Sequence, residues 1–137
     1  MHKVLICIGS NTQSRYNMNR AKSILKSYFP TIQFTINIEN KPFGENYKHW
    51  FLNTLGYFKS DLSKNEIISH CKHIEKTMGR LVEHKSEGKV IIDIDLIQWG
   101  DEIIKPDDFK RSYVIDLLPF VKKQRIKLSM HITLTSN

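Results

Sequence analysis

Val90-Ile91-Ile92-Asp93-Ile94-Asp95-Leu96-Ile97-Gln98-Trp99 is the stretch that decides the fold. It is apolar and rich in isoleucine, as a core strand should be. In a strand, residues two apart share a face. Ile92, Ile94 and Leu96 therefore point to one side, and Asp93 and Asp95 to the other, roughly 7 Å apart along the strand. One face calls for helices packed on it, while the other carries two carboxylates. Carboxylates in an apolar strand are costly unless something compensates them. Mg²⁺ does so, since it takes hard oxygen ligands and shares its shell with phosphates. Salt bridges to lysine, or a solvated strand face, would do so as well.

Working outward from this strand, the periodicities define the remaining elements. Lys3 to Ile8 is an apolar strand stopped by Gly9-Ser10-Asn11. Met18, Ala21, Leu25 and Tyr28 recur at helical spacing, and Pro30 ends that helix. Thr31 to Glu39 alternates Ile32, Phe34, Ile36 and Ile38 with polar residues, which predicts one strand. Residues 40–48, with Pro42 and Gly44, form a loop, and Trp50 to Phe58 alternates as a strand. Ser63-x-x-Glu66 is a capping box; Ile67, Cys71, Ile74 and Met78 then share a helix face, and Gly79 stops it. Residues 82–89 are charged and read as a mobile loop, 109–121 as a short helix or irregular crossing, and Arg125 to Thr135 as a weak further strand. The order is βαββαβ. It predicts an α+β, ferredoxin-like sandwich: an antiparallel sheet with two helices on one face, the other face open to a ligand.

The chain has 137 residues and no repeat or linker, so residues 1–137 are expected to form a single domain. Its 40% hydrophobic and 26% charged composition fits a soluble protein. The apolar run Val4–Ile8 is too short for a membrane span or signal peptide. Cys7 and Cys71 are far apart in apolar settings and read as buried free thiols, which suits a cytoplasmic location. The net charge of +7 favours anionic partners: phosphates, nucleotides or nucleic acid.

Other residues offer chemistry. Phe51 and Asn53 share a strand face, where a ring can stack on a flat heterocycle and an amide can read its edge; ordinary sheet packing is the alternative. Arg80, Lys85, Lys89, Lys110 and Arg111 flank the carboxylate strand and could meet polyphosphate, or could be surface charges. His70-Cys71-x-His73 lacks a second ligand pair for zinc. There is no Walker-type loop and no pattern that nominates a nucleophilic triad.

These pieces resemble, in order and across about residues 3–120, the 6-hydroxymethyl-7,8-dihydropterin pyrophosphokinase family. The matching stretches are Gly9-Ser10-Asn11, Lys41-Pro42-Phe43-Gly44, Phe51-Leu52-Asn53, Leu62-Ser63, Ile74-Glu75 with Gly79-Arg80, and Asp93-Ile94-Asp95 with Gly100-Asp101. The resemblance implies an ATP-dependent enzyme of folate biosynthesis that transfers pyrophosphate to the pterin and releases AMP. It implies that Asp93 and Asp95 hold two Mg²⁺ ions brought with ATP. Pro42, Phe43, Phe51, Asn53 and Tyr113 would bind the pterin, and Glu75, Arg80 and Arg111 would serve ATP. Residues 121–137 lie beyond it. The family usually has Gly-Pro-Arg-Thr-Leu before its first aspartate, where this chain has Gly88-Lys89-Val90-Ile91-Ile92. Val90 thus stands for an arginine, and Lys85 and Lys89, with Arg80 and Arg111, are the cations left to serve the transfer. The Pro-His segment before the final arginine is missing between Pro106 and Arg111. Two alternatives stand beside the enzyme: a catalytically impaired pterin- or nucleotide-binding relative, and an RNA-binding module of the same topology. Asp93 and Asp95 would repel RNA phosphates, so nucleic acid is not the expected partner. Oligomeric state is not legible.

Overall fold

The computed structural model describes residues 1–41 and 49–122. Its strands are β1 (His2–Ser10), β2 (Gln33–Phe34), β3 (Ile38–Asn40), β4 (Phe51–Ser60), β5 (Asp93–Trp99) and β6 (Glu102–Ile103). The helices are α1 (Ser14–Tyr28), α2 (Lys64–Thr77) and α3 over residues 112–122. Among the described residues the architecture is α+β, with one six-stranded antiparallel sheet and three helices. The sheet runs β2-β4-β1-β5-β6, with β3 also paired to β4. Pro42, Phe43 and the further strand expected over Arg125 to Thr135 lie outside the described residues.

Strand parity sorts the core into two layers. Val4, Ile6 and Ile8 of β1, with Ile92, Ile94 and Leu96, pack against Met18, Ala21 and Leu25 of α1 and Ile67, Cys71 and Ile74 of α2. Leu5 and Cys7, with Leu55, Tyr57 and Ile97, face the other way, onto Tyr113, Val114 and Leu117 of α3. The face expected to be open is therefore roofed at one end by α3, because Leu5, Leu55 and Ile97 are too apolar to be left to water. Among the described residues, the end nearer Gly9, Asn53 and Asp93 is left open for a ligand. Both cysteines are free and buried.

Two departures from simple alternation have a physical cause. The 31–39 stretch is not one strand. Phe34 pairs with Gly56, but Ile38 pairs with Asn53, so one extra residue is accommodated between them. Such a slip reverses every side chain beyond it. Ile32 accordingly packs with the helices, whereas Ile38 packs against the α3 layer and Ile36 is exposed. Thr35 fills the gap: its hydroxyl accepts from the Leu55 amide at 3.0 Å and meets the Thr54 hydroxyl at 3.0 Å. The second irregularity is in β5. Ile6 pairs with Leu96 but Leu5 with Gln98, leaving Ile97 as a bulge. Leu96 and Ile97 are thus both buried, in opposite layers.

Regular pairing of β5 begins at Asp93 rather than Val90. Residues 88–90 are held instead by Asn11, whose amide group donates to Gly88 O at 2.9 Å and accepts from Val90 N at 2.7 Å. The segment expected as a mobile loop holds a short 3-10 turn, Val82–Lys85. The Ser63 cap forms as expected, its hydroxyl accepting from Glu66 N at 3.2 Å, and Gly79 takes the left-handed conformation that stops α2. Among the described residues, no helix is long and apolar enough to cross a membrane.

Candidate active site

Two clefts meet at one end of the sheet. The first, about 210 Å³, is lined by Phe51, Asn53 and Asn40 from the β3–β4 side, Gly9 and Cys7 from β1, Asp93 from β5, and Tyr113 and Arg111 at the start of α3, with Arg80 and Val90 closing it. The second, about 380 Å³, is lined by Lys72, Glu75, Lys76, Arg80, Lys85 and Lys89, with Leu81, Val82 and Val90. Arg80 and Val90 belong to both. The first cleft offers a ring and amides, and the second is rich in cations.

Strand register builds the first cleft. Gly9 pairs with Asn53 on one side and Asp93 on the other, which brings an amide and a carboxylate of flanking strands to the same face. Gly9 leaves room for the amide: a Cβ there would lie 2.8 Å from Asn53 Oδ1, so a larger residue would displace the Asn53 side chain. Asn53 is nearly buried and donates to Asn40 Oδ1, and Asn40 in turn donates to Lys41 O at 3.0 Å. Asn40 is a cleft residue that sequence reasoning missed: the loop was expected to begin at residue 40, whereas Asn40 ends β3 and pairs with Phe51. Tyr113 is packed in the apolar layer beside Cys7 and Arg111, and burial pushes its phenol well above the ordinary range. Arg111 Nε lies 3.4 Å from Asp108 Oδ1 and faces the first cleft rather than the second.

The carboxylates stand among cations. Arg80 Nη1 donates to Asp93 Oδ1 at 2.8 Å and to Ile92 O at 3.2 Å, and forms an ion pair with Glu75 Oε2 at 3.0 Å. Asp95 Oδ1 accepts from Lys105 Nζ at 2.9 Å and from Lys72 Nζ at 3.3 Å. Glu75 is buried, and its Oε2 accepts from the Ile94 amide at 2.6 Å and from Lys72 at 3.3 Å. It ties α2 to the middle of the aspartate strand and holds Arg80 in place between the clefts. Burial, then the charge of Asp95, pushes the Asp93 carboxyl up to about 6. Burial works the same way on Asp95, but the hydrogen bond from Lys105, the contact with Asp93 and the charge of Lys72 outweigh it and hold that carboxyl below its usual range. Sequence reasoning missed Lys72 and Lys105: each lies far from the aspartates in sequence or across a turn.

Asp93 reaches the first cleft, whereas Asp95 is covered by the two lysines. Lys85 and Lys89 line the second cleft, with Lys89 3.6 Å from Glu87. Among the described residues, no three His, Cys, Asp or Glu side chains form a complete metal cage. Two carboxylates are nonetheless the donor set that suits Mg²⁺, which keeps waters and takes phosphate oxygens for its remaining positions. On α2, Cys71 is buried against the sheet while the His70 ring turns away to a tilted contact with Tyr28, centroids 5.0 Å apart, so these two do not form a zinc pair.

The chain matches the family model for 7,8-dihydro-6-hydroxymethylpterin-pyrophosphokinase (HPPK) over residues 5–123. It is 30% identical over 141 residues to the folic acid synthesis protein FOL1 of Dictyostelium discoideum, covering 95% of this chain and 21% of that protein. It is also 30% identical over 114 residues to the folate synthesis bifunctional protein of Chlamydia caviae, covering 78% of this chain and 26% of the relative. A 2-amino-4-hydroxy-6-hydroxymethyldihydropteridine pyrophosphokinase of Aquifex aeolicus is 28% identical over 125 residues, covering 90% of this chain and 74% of the relative. The chain thus spans only about a fifth to a quarter of the length of the first two relatives. Its matched span takes in both clefts and the aspartate strand, and the chain belongs to the 7,8-dihydro-6-hydroxymethylpterin-pyrophosphokinase family.

Proposed function

We propose that this chain transfers pyrophosphate from Mg-ATP to 6-hydroxymethyl-7,8-dihydropterin and releases AMP, in a ferredoxin-like fold working in the cytoplasm. The observation that carries this reading is the pair of clefts, one suited to a flat heterocycle and one to polyphosphate, sharing Arg80 and Val90. A group transferred between ligands in the two clefts must pass that shared boundary.

In this reading Phe51 and Tyr113 hold the pterin ring and Asn53 reads its edge, with Asn40 fixing the orientation of Asn53. Lys72, Lys76, Lys85 and Lys89 attract the polyphosphate, while Arg80 bridges toward the transferring group. Arg111 adds charge from the pterin side. Asp93 and Asp95 would hold Mg²⁺. The ion, carried in with ATP, would neutralise phosphate oxygens and polarise the β-phosphoryl group. The pterin hydroxymethyl oxygen forms a bond to the β-phosphorus. The bond from that phosphorus to the α,β-bridging oxygen breaks, AMP leaves with the electron pair, and the hydroxyl proton passes to solvent. No residue has to form a covalent intermediate, so positioning and charge neutralisation supply the rate. Glu75 acts through Arg80 and β5 rather than on a ligand.

Equilibrium titration of a pterin analogue in the presence of a non-hydrolysable Mg-ATP analogue tests the assignment of the first cleft. Phe51→Ala is expected to lose about 1–3 kcal/mol of affinity, the scale of aromatic stacking on a flat base. Unchanged affinity in the variant would remove Phe51 from the site.

A further inference from the structure

The β5–β6 turn places Lys105 with some care. Gly100 adopts a left-handed conformation, β6 returns beside β5, and Ile104 N donates to Ile97 O at 2.9 Å. Ile104 packs into the helix-side core, so the next residue, Lys105, projects to the opposite face, where Asp95 lies. Its ammonium reaches Asp95 Oδ1 at 2.9 Å, the shortest lysine contact that either aspartate makes. Lys72 is differently held: its ammonium meets Asp95 Oδ1, Glu75 Oε2 and Ile94 O, each at 3.3 Å, enough to engage all three of its protons. Lys72 is thereby built into the α2–β5 junction. Lys105 is about as exposed as Lys72 but lies just beyond β6, and among the described residues its ammonium pairs with Asp95 alone.

Charge decides what this means. Asp93, Asp95 and Glu75 face Arg80, Lys72 and Lys105, three carboxylates against three cations. The cluster is already neutral. A divalent cation arriving alone at Asp93 and Asp95 would meet compensated carboxylates and add uncompensated positive charge. The same cation arriving with a polyphosphate brings its own counter-charge.

Resting on the proposed Mg²⁺ role of Asp93 and Asp95, we propose that Lys105 is a built-in competitor of the metal: its ammonium occupies the Asp95 carboxylate and must leave before a divalent cation takes that oxygen. Lys105 thereby keeps the pair closed to free divalent cation and makes metal entry depend on an anion that brings compensating charge. The lysine is not needed for the fold, since an ammonium in a partly exposed pair contributes little to stability.

The test is binding of Mn²⁺ alone, followed by the loss of the free-ion paramagnetic resonance signal, in the wild-type chain, Lys105→Met and Lys105→Met/Asp95→Asn. Methionine keeps the apolar stem and removes the charge. Lys105→Met is expected to bind Mn²⁺ roughly three- to tenfold more tightly than wild type at low salt, the range for one nearby charge at a half-exposed site. The double variant is expected to lose that gain. Equal or weaker binding by Lys105→Met, with binding still dependent on Asp95, would overturn the proposal while leaving the metal assignment intact. Tighter binding that persists in the double variant would show that the ion is not held by Asp95, and would overturn both.

Discussion

Glu75→Ala removes the one acceptor that joins helix α2 to the aspartate strand. The Ile94 amide, 2.6 Å from Glu75 Oε2, would be left inside the sheet–helix layer without a partner, at a cost of about 1–3 kcal/mol. The contacts from Arg80 and Lys72 add less, since both cations are substantially exposed; roughly 0.5 kcal/mol each is a reasonable discount. Loss of the buried methylene adds about 0.8 kcal/mol. The whole change should destabilise the chain by about 4 kcal/mol. With a slope of about 2 kcal/mol per molar, the urea midpoint should fall by about 2 M. Glu75→Gln keeps an oxygen for Ile94 and should lose about 1 kcal/mol. The assay is urea unfolding followed by circular dichroism, with amide exchange at Ile94 as the local probe. A loss below about 1 kcal/mol in Glu75→Ala, or an Ile94 amide that stays as protected as in wild type, would refute the anchoring role.

Three further outcomes follow from the site's geometry and charge. Gly9→Ala should push Asn53 aside, because the new Cβ would sit 2.8 Å from its Oδ1, and pterin-analogue affinity should fall by roughly tenfold; calorimetry showing full affinity would contradict the close packing. The Asp93 carboxyl, raised to about 6, gives metal binding a pH dependence: Mg²⁺ affinity should rise as pH increases through about 6, and a flat profile from pH 5 to 7.5 would contradict it. The stability sign is opposite. A raised carboxyl favours the folded state below its unfolded value near 4, and that contribution is lost as pH rises toward 6. The lowered Asp95 carboxyl works the other way, contributing above the unfolded value and losing that contribution as pH falls. Asp93→Asn should therefore remove the loss of metal-free stability between about pH 4 and 6.

Element order and the shared faces of Asp93 with Asp95 and of Phe51 with Asn53 were legible because period-two and period-3.6 patterns depend only on neighbours in sequence. The slip at Thr35 was not. Ile32, Phe34, Ile36 and Ile38 alternate without a break, and nothing local says that the Thr35 hydroxyl will replace a ladder bond. The bulge at Ile97 was hidden likewise, since Leu96 and Ile97 are both apolar and either parity fits. The roofing of the second sheet face depended on α3, whose apolar residues Val114, Leu117 and Val121 were read only as a short helix or crossing. Within the ion cluster beside the clefts, the aspartates and Arg80 could be singled out from pattern and resemblance. Lys72 and Lys105 could not, because a lysine on a charged helix or in a turn has no signature until its partner is known in space.

The most direct measurement is AMP release on incubating the chain with ATP, Mg²⁺ and 6-hydroxymethyl-7,8-dihydropterin, with the pterin diphosphate product identified by mass spectrometry. AMP and pterin diphosphate are expected in equal amounts, only when metal and pterin are both present, with formation abolished by Asp93→Ala. No AMP above the pterin-free control, at saturating ATP and pterin, would contradict the account. In that case tight pterin-analogue binding would identify a binding-only relative.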